Sequence, residues 1–311
     1  MLVYIDDSLY FNSKGNKHLI KKFEEDLQTW FKVQLQGDVH WFLSMRITWS
    51  IDGNYTLDQR RYAKSIVKIF LGILRAKYTK RPLPSEWEAS KLHESKNEQD
   101  AKKFAEQYRM EYSSVIESLI YLWNTHPDIT FAVTKLAKFM RAPGQEHFRA
   151  LIHLLQYLRD NTNLGLTFYH NIEDAPIYKL IKEAGEKDVK KLFGMHDSSW
   201  QDYPVTGEST ASYVLFYQGG TVDYSTYVPS PVAMSSAEAE CNSGTVAGMA
   251  ISHIRMLQNE INGEEADILY NCPVIMCCDD PSAVTIVNSD KDIRSLRHCK
   301  RRILYIHRLQ L

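Results

Sequence analysis

Pro273-Val274-Ile275-Met276-Cys277-Cys278-Asp279-Asp280-Pro281-Ser282-Ala283-Val284 reads as a buried strand that hands an acid to a helix start. Pro273 to Cys278 is apolar throughout, which predicts a central strand covered on both faces. Pro281 suits a first helical turn, so Asp279 and Asp280 sit at the junction. Two upstream segments share this form. Lys191-Leu192-Phe193-Gly194-Met195-His196-Asp197 predicts a strand that ends in an acid. Ser235-Ser236 can cap a helix that begins Ala237-Glu238-Ala239-Glu240. That helix would bury Ala239, Val246, Met249, Ala250 and Ile254. Between the two segments, Ala211 to Tyr217 and Thr221 to Tyr227 read as a hairpin around Gly219-Gly220.

Three separate elements thus each supply an acid: Asp197, Glu240 and Asp279. Brought together, they can hold two divalent cations, because phosphoryl chemistry needs ligands on both reacting oxygens. Glu238 is the alternative to Glu240, while Asp202 and Asp280 read as solvated acids. The competing interpretation is that all these acids only cap strands and helices.

Composition sets outer bounds. The chain has 311 residues, 44% of them apolar and 24% charged, enough for two domains and a sizeable core. Its formal net charge of −1 gives no general support to nucleic-acid binding, so local charge must carry that idea. Five cysteines form no CxxC pair, which argues against zinc on spacing and fits a reduced, intracellular chain. No apolar run is long enough for a membrane span, so no membrane partner is expected.

Working upstream, Met1 to Ile5 and Ser8 to Phe11 predict two short strands joined at Asp6-Asp7. Lys17 to Phe31 has helical spacing of Leu19, Ile20, Phe23, Leu27 and Phe31. Trp41 to Ile51 predicts a strand, turned at Asp52-Gly53 into Tyr55-Thr56-Leu57. A helix follows with Tyr62, Ile66, Ile69 and Phe70 on one face and Arg60, Arg61, Lys64 and Lys68 elsewhere. The region from Tyr112 to Tyr169 is helical in pattern, with Pro127-Asp128 closing one helix and opening the next. His126, Asp128 and His147 have capping and packing spacing rather than that of a helix-face metal pair.

Several of these segments together resemble the Pol polyprotein of Ty1/copia-type retrotransposons. Tyr4-Ile5-Asp6-Asp7 resembles the reverse-transcriptase palm motif. Leu35 to Ile47 and Leu57 to Phe70 look like the segments that follow it, with Ser44 where the family usually has glycine. Tyr112 to Val133 and His147 to Asn161 look like the family's connection helices, with Glu117 and His126 departing from the usual Gly and Arg. His196-Asp197-Ser198-Ser199-Trp200, Ser209 to Val214, Val232 to Glu240, Cys278 to Ala283 and Arg297-His298 look like its ribonuclease H segments.

The resemblance implies an α+β, mixed chain. Residues 1–79 would be the end of a reverse-transcriptase palm and thumb, 80–110 a charged connector, and 111–170 a helical connection. Residues 171–190 would be a variable linker, and 191–311 an RNase H-like α/β domain that stops short at its C-terminus. The implied activity is metal-dependent hydrolysis of RNA in RNA–DNA hybrids. Asp197, Glu240 and Asp279 would bind Mg2+ (or Mn2+), with Glu238 and His298 as auxiliaries. Asp6 and Asp7 would be polymerase acids. No independent polymerase activity is expected, because the partner acid and the N-terminal part of the polyprotein would lie before Met1. The expected setting is a cytoplasmic particle or the nucleus.

Some departures point to degeneration. Lys300 stands where the family has a further acid, and a cation there opposes metal binding. Tyr224 to Pro229 lacks the usual lysines that meet nucleic-acid phosphates. A catalytically silent nucleic-acid-binding or scaffold relic of the same fold is therefore the second expectation.

Overall fold

The computed structural model describes the chain except residues 1, 5–6, 11–15, 73–77, 85–97, 184, 186–191, 204–205, 231, 263–273, 290–298 and 311. Asp6 and His298 lie outside the described residues. Strands β1 (Leu2–Tyr4) and β2 (Asp7–Leu9) pair antiparallel, with Leu2 opposite Leu9 and Tyr4 opposite Asp7. Helix α1 (Lys17–Trp30) follows, and the Tyr10 hydroxyl donates to its Glu24 at 2.5 Å.

Four short strands make the next sheet: β3 (Trp41–Phe42), β4 (Met45–Trp49), β5 (Tyr55–Asp58) and β6 (Leu166–Phe168). The strand expected across Trp41 to Ile51 is really a hairpin that turns at Leu43-Ser44. Both turn residues are left-handed, at φ 50° and 62°, in a two-residue loop that favours Asn-Gly. The turn into β5 uses Gly53 at φ 80°. Strand β6 falls within the stretch expected to be helical. Its three residues complete the sheet by pairing with β5, Leu166 against Leu57. The Arg46 guanidinium bridges to Asp58, its cross-strand partner, at 2.8 Å, and Asp58 also accepts from the Arg60 N–H at 3.0 Å. That second bond satisfies a free donor at the start of α2 (Arg60–Ile66).

Helix α2 runs into a π-helical turn, Val67–Leu71. The wider turn shifts the helical phase. Ile69, expected on the buried face, is 69% exposed, and Leu71 is buried in its place. Helices α3 (Glu98–Tyr108), α4 (Tyr112–Leu122), α5 (Pro127–Ala137) and α6 (Gln145–Asn161) pack with α2 around one apolar core. Val115, Ile116, Leu119, Ile129, Val133, Leu136, Phe148, Leu151, Leu154 and Leu155 are fully buried there. The Tyr112 hydroxyl enters this core and donates to the Leu136 carbonyl at 2.9 Å.

Residues 171–190, expected as a linker, instead contain α7 (Pro176–Glu183). Its Tyr178 and Ile181 pack with Ala175 against Phe193, so it belongs to the following layer. That layer is a mixed sheet in the order β10-β7-β8-β9, built from β7 (Leu192–Tyr203), β8 (Glu208–Tyr217), β9 (Gly220–Tyr227) and β10 (Ile275–Cys277). The β7-β8-β9 meander is antiparallel, and β10 joins β7 in parallel. Strand β10 is thus an edge among the described strands, not the expected centre. Its unbroken apolar run reflects packing rather than sheet position: Val274 and Met276 join Leu192, Leu215 and Ile251 in one cluster, and Ile275 packs toward Phe193. The long helix α8 (Ser236–Asn262) lies across β7 and β8, and α9 (Pro281–Val287) and α10 (Lys300–Gln310) pack on it. Met249, expected on its buried face, is 56% exposed, while Gly248 and Ile251 are buried.

The helical layer and the second sheet are fastened together. The Lys135 ammonium of α5 is buried against the Asp202 carboxylate and the Thr210 hydroxyl, over the Tyr203 ring. Asp202 is therefore an interface counter-ion, not the solvated acid expected. Burial pushes the Lys135 pKa down while Asp202 opposes the shift. Lys138 pairs with Glu208 at 2.9 Å, and the Tyr224 hydroxyl donates to the Trp123 carbonyl. Among the described residues, no helix is long and apolar enough to cross a membrane.

Candidate metal centre

The parallel pairing of β10 with β7 positions the acids. Ile275 lies opposite Phe193, Met276 opposite Gly194 and Cys277 opposite Met195. Continued by one and two steps, this register sets Cys278 beside His196 and Asp279 beside Asp197. Gly194 makes the close approach feasible, since a Cβ there would lie 2.7 Å from a Leu215 methyl and 3.0 Å from the Met276 sulfur. Asp197 is mid-strand in β7, although it was expected at a strand end. Asp279 lies two residues past the end of β10, and Glu240 comes from the first turns of α8.

One carboxylate oxygen from each of Asp197, Glu240 and Asp279 lies within 4.8 Å of the others. Asp197 and Asp279 are exposed, whereas Glu240 is buried. The Ser198 backbone N–H donates to Glu240 Oε1 at 2.7 Å and so fixes that carboxylate. The Ser243 hydroxyl of α8 reaches the carbonyl oxygens of Asp197 at 3.1 Å and Ser212 at 3.0 Å, and it pins helix to sheet at the acid itself. The Asp197 pKa is raised, first by burial and then by the charges of Glu240 and Asp279. Like charges this close repel, and a divalent cation between them relieves the repulsion. The donor set is all oxygen, the chemistry of a hard divalent cation.

Glu238 and Asp280 cap helices. Glu238 accepts from the Met234 N–H at 2.9 Å, and its own N–H donates to Ser235 Oγ at 3.2 Å. This is a helix-capping arrangement, and the three-carboxylate group is made without Glu238. Asp280 caps α9 by accepting from the N–H groups of Ser282 at 2.7 Å and Ala283 at 3.1 Å; it is not merely solvated. Lys300 is exposed at the first position of α10. Asp7 opens β2, in a separate hairpin. His147 accepts from the Gly144 N–H at 2.7 Å, and burial pushes its imidazole down to about 4. Asp128 contacts His126 at 3.3 Å and accepts from the Tyr157 hydroxyl at 2.9 Å.

The sequence reading missed Ser198 and Ser243, which carry no signal because a serine in a strand or a helix interior is commonplace. It also missed His196 and Cys278. His196 Nδ1 lies 3.4 Å from Glu240 Oε2, and the Cys278 thiol donates to the same oxygen at 3.6 Å. Burial and the Glu240 charge push that thiol up to about 12, against a backbone hydrogen bond with Asp280 that lowers it. The signal was present in the repeated pattern His-Asp within β7 and Cys-Asp just past β10, once those strands are known to pair in parallel.

Comparison with known proteins gives a consistent picture. The chain is 26% identical over 288 residues to the retrovirus-related Pol polyprotein from transposon TNT 1-94 of Nicotiana tabacum, a match covering 92% of the chain. It is 27% identical over 284 residues to the corresponding polyprotein from transposon RE1 of Arabidopsis thaliana, covering 91%. The chain spans 20% of the first relative's length and 17% of the second's. An uncharacterized mitochondrial protein of Arabidopsis thaliana, AtMg00810, is 28% identical over 240 residues, covering 77% of the chain and 88% of the relative. No protein-family profile and no solved structure matches the chain.

Proposed function

Since the chain belongs to the copia-type transposon Pol polyproteins, we propose that its C-terminal sheet domain is the ribonuclease H unit, hydrolysing RNA in RNA–DNA hybrids. The observation that supports this most directly is the convergence of Asp197, Glu240 and Asp279 from β7, α8 and the end of β10. These carboxylates would hold Mg2+ or Mn2+. Such ions supply an activated water and stabilise charge on the leaving oxygen.

The chain's own contribution is placement. Ser198 holds Glu240 in one orientation, and Ser243 holds the Asp197 backbone against α8. Asp197 and Asp279 are exposed, so a duplex would reach the group from their side. The hybrid's phosphates would bring negative charge to an already crowded group of acids, so substrate and cation should bind with mutual support.

The test is cleavage of a labelled RNA–DNA hybrid by the purified chain with added Mg2+ or Mn2+, next to Asp197→Asn. Metal-dependent cleavage lost in that variant supports the reading. Hybrid binding without cleavage by the unmodified chain overturns it and favours the non-catalytic binding relic.

A further inference from the structure

Glu240 has a second group of neighbours. On its other side lie His196 and Cys278, and one ligand atom from each of the three lies within 4.8 Å of the others. The two groups share Glu240 and are otherwise distinct. The pairs are consecutive: His196 then Asp197 within β7, and Cys278 then Asp279 just beyond β10. Alternation along β7 sends His196 and Asp197 to opposite faces, and Cys278 and Asp279 divide between the same two groups. The exposed layer therefore gathers Asp with Asp, and the inner layer gathers His with Cys.

The inner layer is the unusual one. The His196 side chain is 7% exposed and that of Glu240 4%. His196 Nδ1 is buried and makes no hydrogen bond, although a buried imidazole nitrogen normally finds a partner. Its ring lies against Gly244 of α8, where a Cβ would come within 3.1 Å of Nε2. A side chain at 244 would press on the imidazole and shift it by a few tenths of an ångström. A pocket of about 80 Å³ opens beside the three groups, lined by His196, Glu240, Cys278 and the apolar Met276, Val287 and Ile306. It has room for a cation and a water.

We propose that His196 Nδ1, Cys278 Sγ and a Glu240 carboxylate oxygen bind a borderline-soft divalent cation, Zn2+ or an ion of the same character, at a site separate from the three-carboxylate group. Mixed nitrogen, sulfur and oxygen donors suit Zn2+, whereas hard Mg2+ avoids thiolate. Three protein ligands leave a fourth position open toward the pocket. Coordination takes Cys278 as thiolate, and its proton passes to solvent. Because Glu240 serves both groups, a cation held here takes up the charge that the Asp197 and Asp279 group would otherwise share. Zn2+ then antagonises loading of the hard-metal site.

Co2+ is the probe, since cobalt bound by thiolate shows a charge-transfer absorption that Zn2+ lacks. The full chain titrated with Co2+ should show this band, saturating at one equivalent and bleached by equimolar Zn2+. Cys278→Ser should abolish the band. His196→Ala should weaken Co2+ affinity by roughly tenfold or more. Asp279→Asn should leave the band intact while removing any hybrid cleavage, so failure of this proposal and failure of the nuclease reading are separately visible. Circular dichroism of each variant checks that it is folded. If Cys278→Ser disturbs the fold, Zn2+ protection of the Cys278 thiol from alkylation, measured by peptide mass, replaces it. Absence of the band, its survival in folded Cys278→Ser, or alkylation of Cys278 unaffected by Zn2+ overturns the proposal.

Discussion

Helices α4, α5 and α6 bury a continuous set of aliphatic side chains, among them Val115, Leu119, Val133, Leu151 and Leu154. Helix α8 is longer, yet it buries Glu238, Glu240, Asn242, Ser243, Thr245 and Arg255 along with Ala239, Ala247 and its two glycines. Among the described residues, the apolar side chains of the second layer fall into three small clusters rather than one. One part of the molecule is built for stability, while the other gives up apolar burial to hold acids in fixed places. Functional sites commonly cost stability in this way.

The contrast can be broken by experiment. The largest effect is expected at the acids. Asp197→Asn should lower hybrid cleavage about a thousandfold, roughly 4 kcal/mol of transition-state stabilisation, measured in single-turnover assays with Mg2+. The same change should not destabilise the fold. Asp197 titrates above its usual range, so its ionised form opposes folding. In chelator, the unmodified chain should therefore lose stability as pH rises from about 4 through the raised pKa, and Asp197→Asn should flatten that slope. Thermal melts across pH check it; a destabilised Asp197→Asn in chelator would end the contrast.

Next in size, Leu154→Ala in the helical core should lower stability by about 3 kcal/mol in urea titrations. Its effect on metal binding should be nil. Asp202→Asn should cost about 2 kcal/mol, because it strands the buried Lys135 ammonium between the two layers. A double variant, Asp202→Asn with Lys135→Met, should recover part of that loss; no recovery would mean that Lys135 matters only for packing. The smallest effect is a gain. Ser44→Gly should stabilise by about 1 kcal/mol, because serine holds φ 62° there without benefit. The equivalent turn of the second sheet, Gln218-Gly219, already has glycine at its second position.

Local chemistry made much of the fold legible. The β1–β2 hairpin, α1, the Gly53 turn, the start of α5 at Pro127 and the β8–β9 hairpin all follow from short-range pattern. What escaped depends on partners far away in sequence. Leu166 to Phe168 is a strand only because β5 offers an open edge. The apolar run of β10 described burial, which an edge strand under α8 can have as well as a central one. Ile69 was misplaced because a π-helical turn breaks the helical period. The acids at 197, 240 and 279 stood out as residues, but no local pattern separates Glu240 from Glu238. Only α8's capping geometry turns Glu238 toward Met234 and Glu240 toward Ser198.

The pairing of β5 with β6 also dictates an order of assembly. These strands enclose the whole helical core, a loop on the order of a hundred residues, and closing such a loop in an unstructured chain costs about 4 kcal/mol. Three residue pairs cannot repay that by themselves. Compaction of α4 to α6 must come first, shortening the effective loop until Leu166 meets Leu57. Refolding should show helical signal ahead of the stacking of Tyr55 on Phe168, whose rings sit 4.8 Å apart. The small sheet is then a latch on a finished bundle, and a chain interrupted before the helices close would display β5 as an unguarded edge.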